Sequence, residues 1–222
     1  MQSQTTGYFC SVKWRWKIAQ FFEGLWWKVY LFGKSEYYYL LWKKNYWRAF
    51  LKKADITAGT GEHIIEVGSG PAGIFMMFPE NKVTAVEPLL PKYEKLLTHF
   101  GSAALKNVTF VAVPFEDYSP VHPFDKVFCL NVINHVRDLP TCMNKLFDLT
   151  KKGGRLYISV DAHRWNFLKK VFQLIPWDVL HPYQHSLHEY ECMLESRGFF
   201  IGRVGLIKST WIFNYYLIVA KK

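Results

Sequence analysis

Two kinds of hydrophobic spacing divide the chain. In the first part, Trp14, Ile18, Phe21, Phe22, Leu25, Trp26 and Val29 fall at offsets 0, 4, 7, 8, 11, 12 and 15, which is one face of an α-helix. After the Gly33-Lys34-Ser35 break, Tyr39, Trp42, Tyr46, Ala49 and Phe50 make an apolar helical stripe, while Lys44, Arg48 and Lys52 make a basic one. Both segments read as amphipathic helices. From residue 60 onward the spacing changes to short β-rich runs: HIIEV at 63–67, KVTAVE at 82–87, VTFVAV at 108–113, KVFCLN at 126–131 and RLYISVD at 155–161. Helical patterns around 71–78, 91–100 and 140–149 separate them, the last ended by a Lys151-Lys152-Gly153-Gly154 turn. Such alternation requires crossover connections and therefore a parallel sheet. A helix at 186–197, stopped by Gly198, precedes two strands, FIGRVGLI and WIFNYYLIVA, close enough in sequence to pair antiparallel. No repeat or linker interrupts this order, so N-terminal helices over 1–54 followed by one α/β domain over 55–222 are expected.

Composition narrows the class. Half of the 222 residues are hydrophobic and 21% charged, which suits a globular chain that needs neither disulfide nor metal to fold. No apolar run approaches the ~20 residues of a membrane-spanning helix. The first residues hold no uninterrupted apolar core and no small-residue cleavage site, so no secretory signal is read. Cys10, Cys129, Cys142 and Cys192 are scattered without metal-ligand spacing, which points to a reducing cytoplasm.

The net charge of +10 is uneven, because residues 1–53 hold 10 Lys/Arg against 2 Asp/Glu and the remainder holds 18 against 16. Six of the nine tryptophans share that basic segment. Its first reading is a lid over a ligand site. A surface lying on anionic membranes through residues 10–53 is second, and a nucleic-acid platform of aromatics and cations is third.

The strongest local signal is the strand HIIEV running into Gly68-Ser69-Gly70-Pro71-Ala72-Gly73. Glycines at a strand-to-helix turn let backbone N–H groups approach a ligand with no Cβ in the way, and the helix start favours its negative groups. Formally this is GxGxxG, which also announces nicotinamide enzymes, where the next strand ends in an acid about 20 residues on. Glu87 lies 17 residues after Gly70 and 21 after Glu66, so spacing alone fits either reading.

Three features beyond the glycines resemble the class I S-adenosylmethionine-dependent methyltransferases, specifically the type 11 group that includes ubiquinone and menaquinone C-methyltransferases. Glu66, two residues before the first glycine, resembles that family's E/D-x-G-x-G. FDKVFCLNVINHVRDLP at 124–140 is similar to its fourth-strand segment. LTKKGGRLYISV is similar to its helix-turn-fifth-strand segment, and the C-terminal strand pair matches its closing hairpin. The resemblance covers 55–222. It implies a Rossmann-like seven-stranded sheet, parallel except for one antiparallel C-terminal strand, with helices on both faces. It implies S-adenosylmethionine as cofactor, with the methionyl end against Glu66, Gly68, Ser69 and Gly70, the ribose diol on Glu87 and the amino group near Asn131. A carboxylate suits a cis-diol because its oxygens can accept both hydroxyl protons. Where relatives often have Asp-Ala after the third strand this chain has Pro114-Phe115-Glu116-Asp117, and Pro114 donates nothing, so the adenine amino group is left to Glu116 or Asp117; the resemblance carries the adenine site over to Phe115 and Glu116.

The acceptor side is expected between His135, the Asp161-Ala162-His163-Arg164 segment and the His181–His185 loop, all beyond the carboxyl edge of strands four and five. A neutral imidazole takes a proton near physiological pH, whereas a guanidinium only holds an anionic group. His163 is the leading base, Asp161 its orienter and His135 the reserve; Arg164, His181 and His185 face the substrate. Metal is not expected, since Pro182 interrupts a helix through His181, His185 and His188 and the segment resembles that of metal-free relatives. The expected activity is O- or C-methylation of a small aromatic or lipid-like acceptor. The other classes are a catalytically idle methyltransferase-like binding or membrane-surface protein and an NAD-dependent oxidoreductase. No specific nucleic-acid partner is expected: no RNA-binding module is appended and no Asn-Pro-Pro-Tyr-type motif stands at Asn131.

Overall fold

The computed structural model describes residues 22, 24–96, 105–163, 185–210 and 213–222. Trp14, Ile18, Phe21, Arg164 and His181 lie outside them, as do the side chains of Ala162 and His163. Helical residues 24–31 (α1) and Glu36–Lys53 (α2) precede strand β1, His63–Val67. There follow β2 (Lys82–Val86), α3 (Leu90–Leu96), β3 (Val108–Val111), β4 (Phe124–Cys129), α4 (Leu139–Leu149), β5 (Thr150–His163), α5 (Leu187–Glu195), β6 (Phe200–Ser209) and β7 (Phe213–Lys221).

The seven strands form one sheet in the order β3-β2-β1-β4-β5-β7-β6. β7 runs antiparallel to both its neighbours and the remaining pairs are parallel, as expected from the resemblance. Chain direction across the sheet reverses between β1 and β4, and the crevice outside the carboxyl ends of two such strands is where open α/β sheets hold ligands.

Alternating side chains feed two cores. On one face Ile65, Val67, Val127 and Cys129 meet Leu139, Cys142, Met143 and Leu146 of α4 and Tyr190 and Leu194 of α5. On the other, Ile64, Phe128 and Tyr157 meet Ile74, Phe75 and Phe78 together with Trp47 and Phe50 of α2. Each such buried side chain contributes about 1.5–3 kcal/mol. Local chemistry sets the helix starts. Asp138 caps α4 by accepting from the Thr141 N–H at 3.1 Å, and Ser186 with Glu189 forms a reciprocal capping box on α5.

Four expectations change. The 71–78 pattern yields a single 3-10 turn, Ile74–Met77, because Glu66 takes the first two amides and Pro79 follows closely. The 151–154 turn is absorbed into β5, since Gly153 donates to the Lys222 carbonyl at 2.7 Å and Lys222 donates back to Gly154 at 3.1 Å. In α2 the buried face is Tyr39, Trp47 and Phe50, while Trp42, Tyr46 and Ala49 are exposed. Tyr39, Lys43, Trp47 and Phe50 fall at offsets 0, 4, 8 and 11, a regular helical face whose one cation hides it from hydrophobic pattern reading. In α1 the expected inward residues Leu25, Trp26 and Val29 are exposed, and the inner side is Gly24, Trp27 and Leu31.

Candidate functional site

The carboxyl ends of β1 and β4 lie side by side, and both are followed by left-handed backbone: Gly68 at φ 64°, Gly70 at φ 57° and Asn131 at φ 58°. Asn tolerates this region better than other side chains yet still stores strain there. Ser159 of β5 steadies Asn131, its Oγ accepting the Asn131 N–H at 2.7 Å and donating to Oδ1 at 3.3 Å. The glycines differ in what they allow. A Cβ on Gly68 would lie 2.2 Å from Val132 Cγ2, so that residue permits the two strand ends to close. A Cβ on Gly73 would lie 2.4 Å from Glu66 Oε2. At Gly70 the nearest atom to such a Cβ is Trp27 Cζ2 at 4.0 Å, which leaves the loop open toward α1.

Three side chains shape this loop. Glu66, only 3% exposed, accepts the N–H of Ile74 at 3.0 Å and of Phe75 at 2.8 Å, pinning the turn that follows the glycines. Burial pushes its carboxyl up to about 8, against the pull of those amides and of Lys43. Glu87 accepts the Gly70 N–H at 3.0 Å and the Leu89 N–H at 2.8 Å, so the β2 acid is tied directly to the glycine loop. Lys43 reaches in from α2 among the rings of Trp42, Tyr46 and Trp47, at 5.4–5.7 Å from their centroids. Burial lowers its pKa while Glu66 raises it.

The N-terminal helices close over this arrangement. Trp47 Nε1 donates to the Ala72 carbonyl at 2.9 Å, and Trp27 stands edge-on to Tyr93 of α3 with centroids 6.3 Å apart. Ser69 is buried, its Oγ donating to the Gly70 carbonyl at 3.3 Å. Toward the expected adenine end, Phe115 is a buried core side chain, and Glu116 accepts the Arg137 N–H at 2.5 Å.

A second cluster lies beyond β4 and β5. Asp161 has a buried Oδ1 with no hydrogen-bond partner among the described residues. Burial pushes its carboxyl up to about 6, and nearby His135 opposes this. Tyr190 donates its OH to Asn134 Oδ1 at 2.7 Å, Tyr215 of β7 lies opposite Asp161 in the strand register, and the His185 ring stands edge-on to Tyr190 at 5.5 Å. Burial first and the Asp161 charge second push both phenols upward. The structure thus brings His135 close to Asp161, with His185 against the Tyr190 ring, whereas His163 is described only as a backbone pair of Phe213. Among the described residues no group of three His, Cys, Asp or Glu could hold a metal ion.

Sequence reasoning missed Trp27, Lys43, Asn134, Tyr190 and Tyr215. The i, i+4, i+8 spacing of Tyr39, Lys43 and Trp47 was a signal for the second; Trp27 adjoins a stripe whose other members turn outward.

A family profile described as "Methyltransferase domain" matches residues 38–201, from within α2 to the start of β6. The chain belongs to that methyltransferase family. With the glycine loop and sheet order above, it is a class I S-adenosylmethionine-dependent methyltransferase, and the resemblance to the type 11 group fits this membership. A curated relative, the tRNA U34 carboxymethyltransferase of Alteromonas mediterranea, is 26% identical over 128 residues, which are 53% of this chain and 38% of that protein. This methyltransferase therefore spans well under half of that relative's length. Among solved structures, Haemonchus contortus phosphoethanolamine N-methyltransferase 2, in complex with S-adenosyl-L-methionine, superposes with TM-score 0.61 at 17% identity, covering 80% of this chain and 52% of that one. The magnesium protoporphyrin IX methyltransferase of Synechocystis PCC 6803, with bound SAH, gives TM-score 0.58 at 18% identity, covering 83% and 84%. These likenesses establish the fold.

Proposed function

We propose that this methyltransferase moves a methyl group from S-adenosylmethionine to a small-molecule acceptor carrying a hydroxyl or an activated carbon. The observation that carries the reading is Gly70: left-handed, open on its Cβ side, roofed by Trp27, and hydrogen-bonded to a buried carboxylate one strand away. The residues present fit the cofactor. Gly68, Ser69 and Gly70 would lie along its methionyl part, Glu87 would accept its ribose hydroxyls, and the amino group would sit near Asn131. The Lys43 ammonium beside Glu66 suits its carboxylate. Phe115 and Glu116 would border the adenine through backbone atoms, since the side chains are committed to the core and to Arg137. When bound, the cofactor supplies an electrophilic methyl on a sulfonium.

Alignment of acceptor and methyl is the main contribution of the protein. The acceptor proton goes to Asp161, whose raised pKa makes it a stronger base than an ordinary aspartate while leaving it mostly ionised at pH 7. With that proton held on Asp161, the freed electron pair of the acceptor would be available to the methyl that the cofactor would supply. His135 steadies the Asp161 charge, and His185 borders the acceptor beside Tyr190. The inward face of the two N-terminal helices acts as the lid, through Trp27 and Trp47. Calorimetric titration tests the reading: S-adenosylmethionine and its demethylated product bind and NAD does not. NAD binding with no response to either adenosyl ligand would overturn it.

A further inference from the structure

Helix α1 has two faces of different fate. Gly24, Trp27 and Leu31 turn inward to Leu89, Tyr93 and the glycine loop. Leu25, Trp26 and Val29 turn outward, and Phe32 in the turn after the helix is 88% exposed. α2 repeats the arrangement, burying Tyr39, Trp47 and Phe50 while Tyr38 and Trp42 remain more than half exposed. Folded chains rarely leave large aromatic and branched side chains exposed in a group of this kind without an occupant.

Charge selects the occupant. Lys44, Arg48 and Lys52 form an exposed ridge alongside Tyr38 and Trp42 on α2, Lys28 flanks Val29, and Lys34 stands over the Tyr30 ring at 3.2 Å. Residues 1–53 as a whole carry 10 basic against 2 acidic side chains. Two consecutive helices that each expose aromatic or branched side chains with Lys or Arg beside them match an interface of anionic headgroups over acyl chains, where aromatics sit at headgroup level and bases pair with lipid phosphates. None of the described helices is long and apolar enough to cross a membrane.

We propose that α1 and α2 dock this protein on the surface of an anionic lipid bilayer, with Leu25, Trp26, Val29 and Phe32 entering the interface and Lys44, Arg48 and Lys52 contacting its headgroups. The docking stands independently of methyl transfer. It has a consequence for it: the helix that meets the lipid is the helix whose Trp27 covers Gly70, so lipid contact and access to the glycine loop share one element.

The test is sedimentation of the full chain with vesicles. The protein pellets with phosphatidylcholine vesicles that contain phosphatidylglycerol, stays in solution with phosphatidylcholine alone, and is released by salt. Leu25→Ser with Val29→Ser lowers the partition coefficient roughly tenfold or more, the loss expected when two branched side chains no longer enter the interface. Lys44→Glu with Lys52→Glu does the same through charge, and this pair keeps the test decisive should the apolar variant fold poorly. S-adenosylhomocysteine affinity stays unchanged in both double variants. Three results overturn the proposal: no pelleting with anionic vesicles; a stable dimer that the Leu25/Val29 variant dissociates, which makes a second copy the occupant; or tight RNA binding lost in the Lys44/Lys52 variant with vesicle binding intact.

Discussion

The two ends of the sheet treat their charged groups in opposite ways. At the amino end Asp125 accepts from Lys151 at 2.8 Å and from the His63 N–H at 3.0 Å, which holds its carboxyl below the usual range, and Glu62 pairs with Lys126. Asn81 donates to the carbonyls of Gly59 and Glu62, and Asn107 to those of Phe78 and Asn81. At the carboxyl end Glu66 and Asp161 are pushed upward to about 8 and about 6, Asp161 has a buried oxygen without a partner among the described residues, and Asn131 holds a left-handed backbone beside the Gly68–Gly70 loop. The first end is solved for stability; the second keeps unmet capacity for hydrogen bonds, which is what a binding and proton-transfer site requires.

The largest effect that separates the ends comes from backbone freedom. Gly70→Val places a branched side chain where the loop is open and lowers S-adenosylhomocysteine affinity roughly a hundredfold or more by calorimetry, about 2.7 kcal/mol. Gly61→Ala, at φ 81° with nothing near its Cβ, is the control before β1: it lowers the melting temperature and leaves affinity unchanged. Asp161→Asn comes next. It lowers turnover roughly a hundredfold with cofactor affinity intact, and it flattens the pH–rate profile, which in the wild type climbs as Asp161 loses its proton near pH 6. A profile unaltered in the variant places the base elsewhere, with His163 the first candidate.

Carboxylates give a smaller contrast. Glu87→Ala removes the diol acceptor and weakens cofactor binding about 10–100-fold, whereas Asp125→Ala leaves affinity alone and costs about 0.5–1 kcal/mol of stability, the range of a partly exposed pair. The subtlest difference is one of sign. Asp125, with its folded pKa depressed, adds stability that is present above its unfolded pKa and is lost as pH falls through the folded value. Glu66, raised from 4.5 to about 8, makes the folded state bind the extra proton, so stability falls as pH rises through that window, by at most ~1.4 kcal/mol per pH unit. Denaturant titration at stepped pH reads both slopes; Glu66→Gln abolishes the second and Asp125→Ala the first.

The strands were legible because parallel strands buried on both faces write continuous runs such as HIIEV, and the glycine loop because only glycine meets the space at Gly68 and Gly73. The helices over the loop were misread where one cation interrupted the apolar face: Lys43 lies between Tyr39 and Trp47, and the period shifted to Trp42 and Tyr46. Glu66 was read for its motif, yet its pinning of Ile74 and Phe75, which shortens the expected helix to one turn, is a tertiary fact that no spacing encodes. Of the cluster beyond β4 and β5, only the strand-end members are legible in the sequence. Asp161 and His135 follow from the strand ends, but Tyr190 and Tyr215 reach them through pairing with α5 and β7, which are remote in sequence.

The most direct measurement is a crystal structure with S-adenosylhomocysteine bound. The account predicts the ligand at the carboxyl ends of β1, β2 and β4, its ribose hydroxyls on Glu87, its methionyl part along Gly68–Gly70 beneath Trp27, and its sulfur facing a cavity bordered by Asp161 and His135. A ligand held at the amino end of the sheet, or one whose sulfur points away from Asp161, would contradict it.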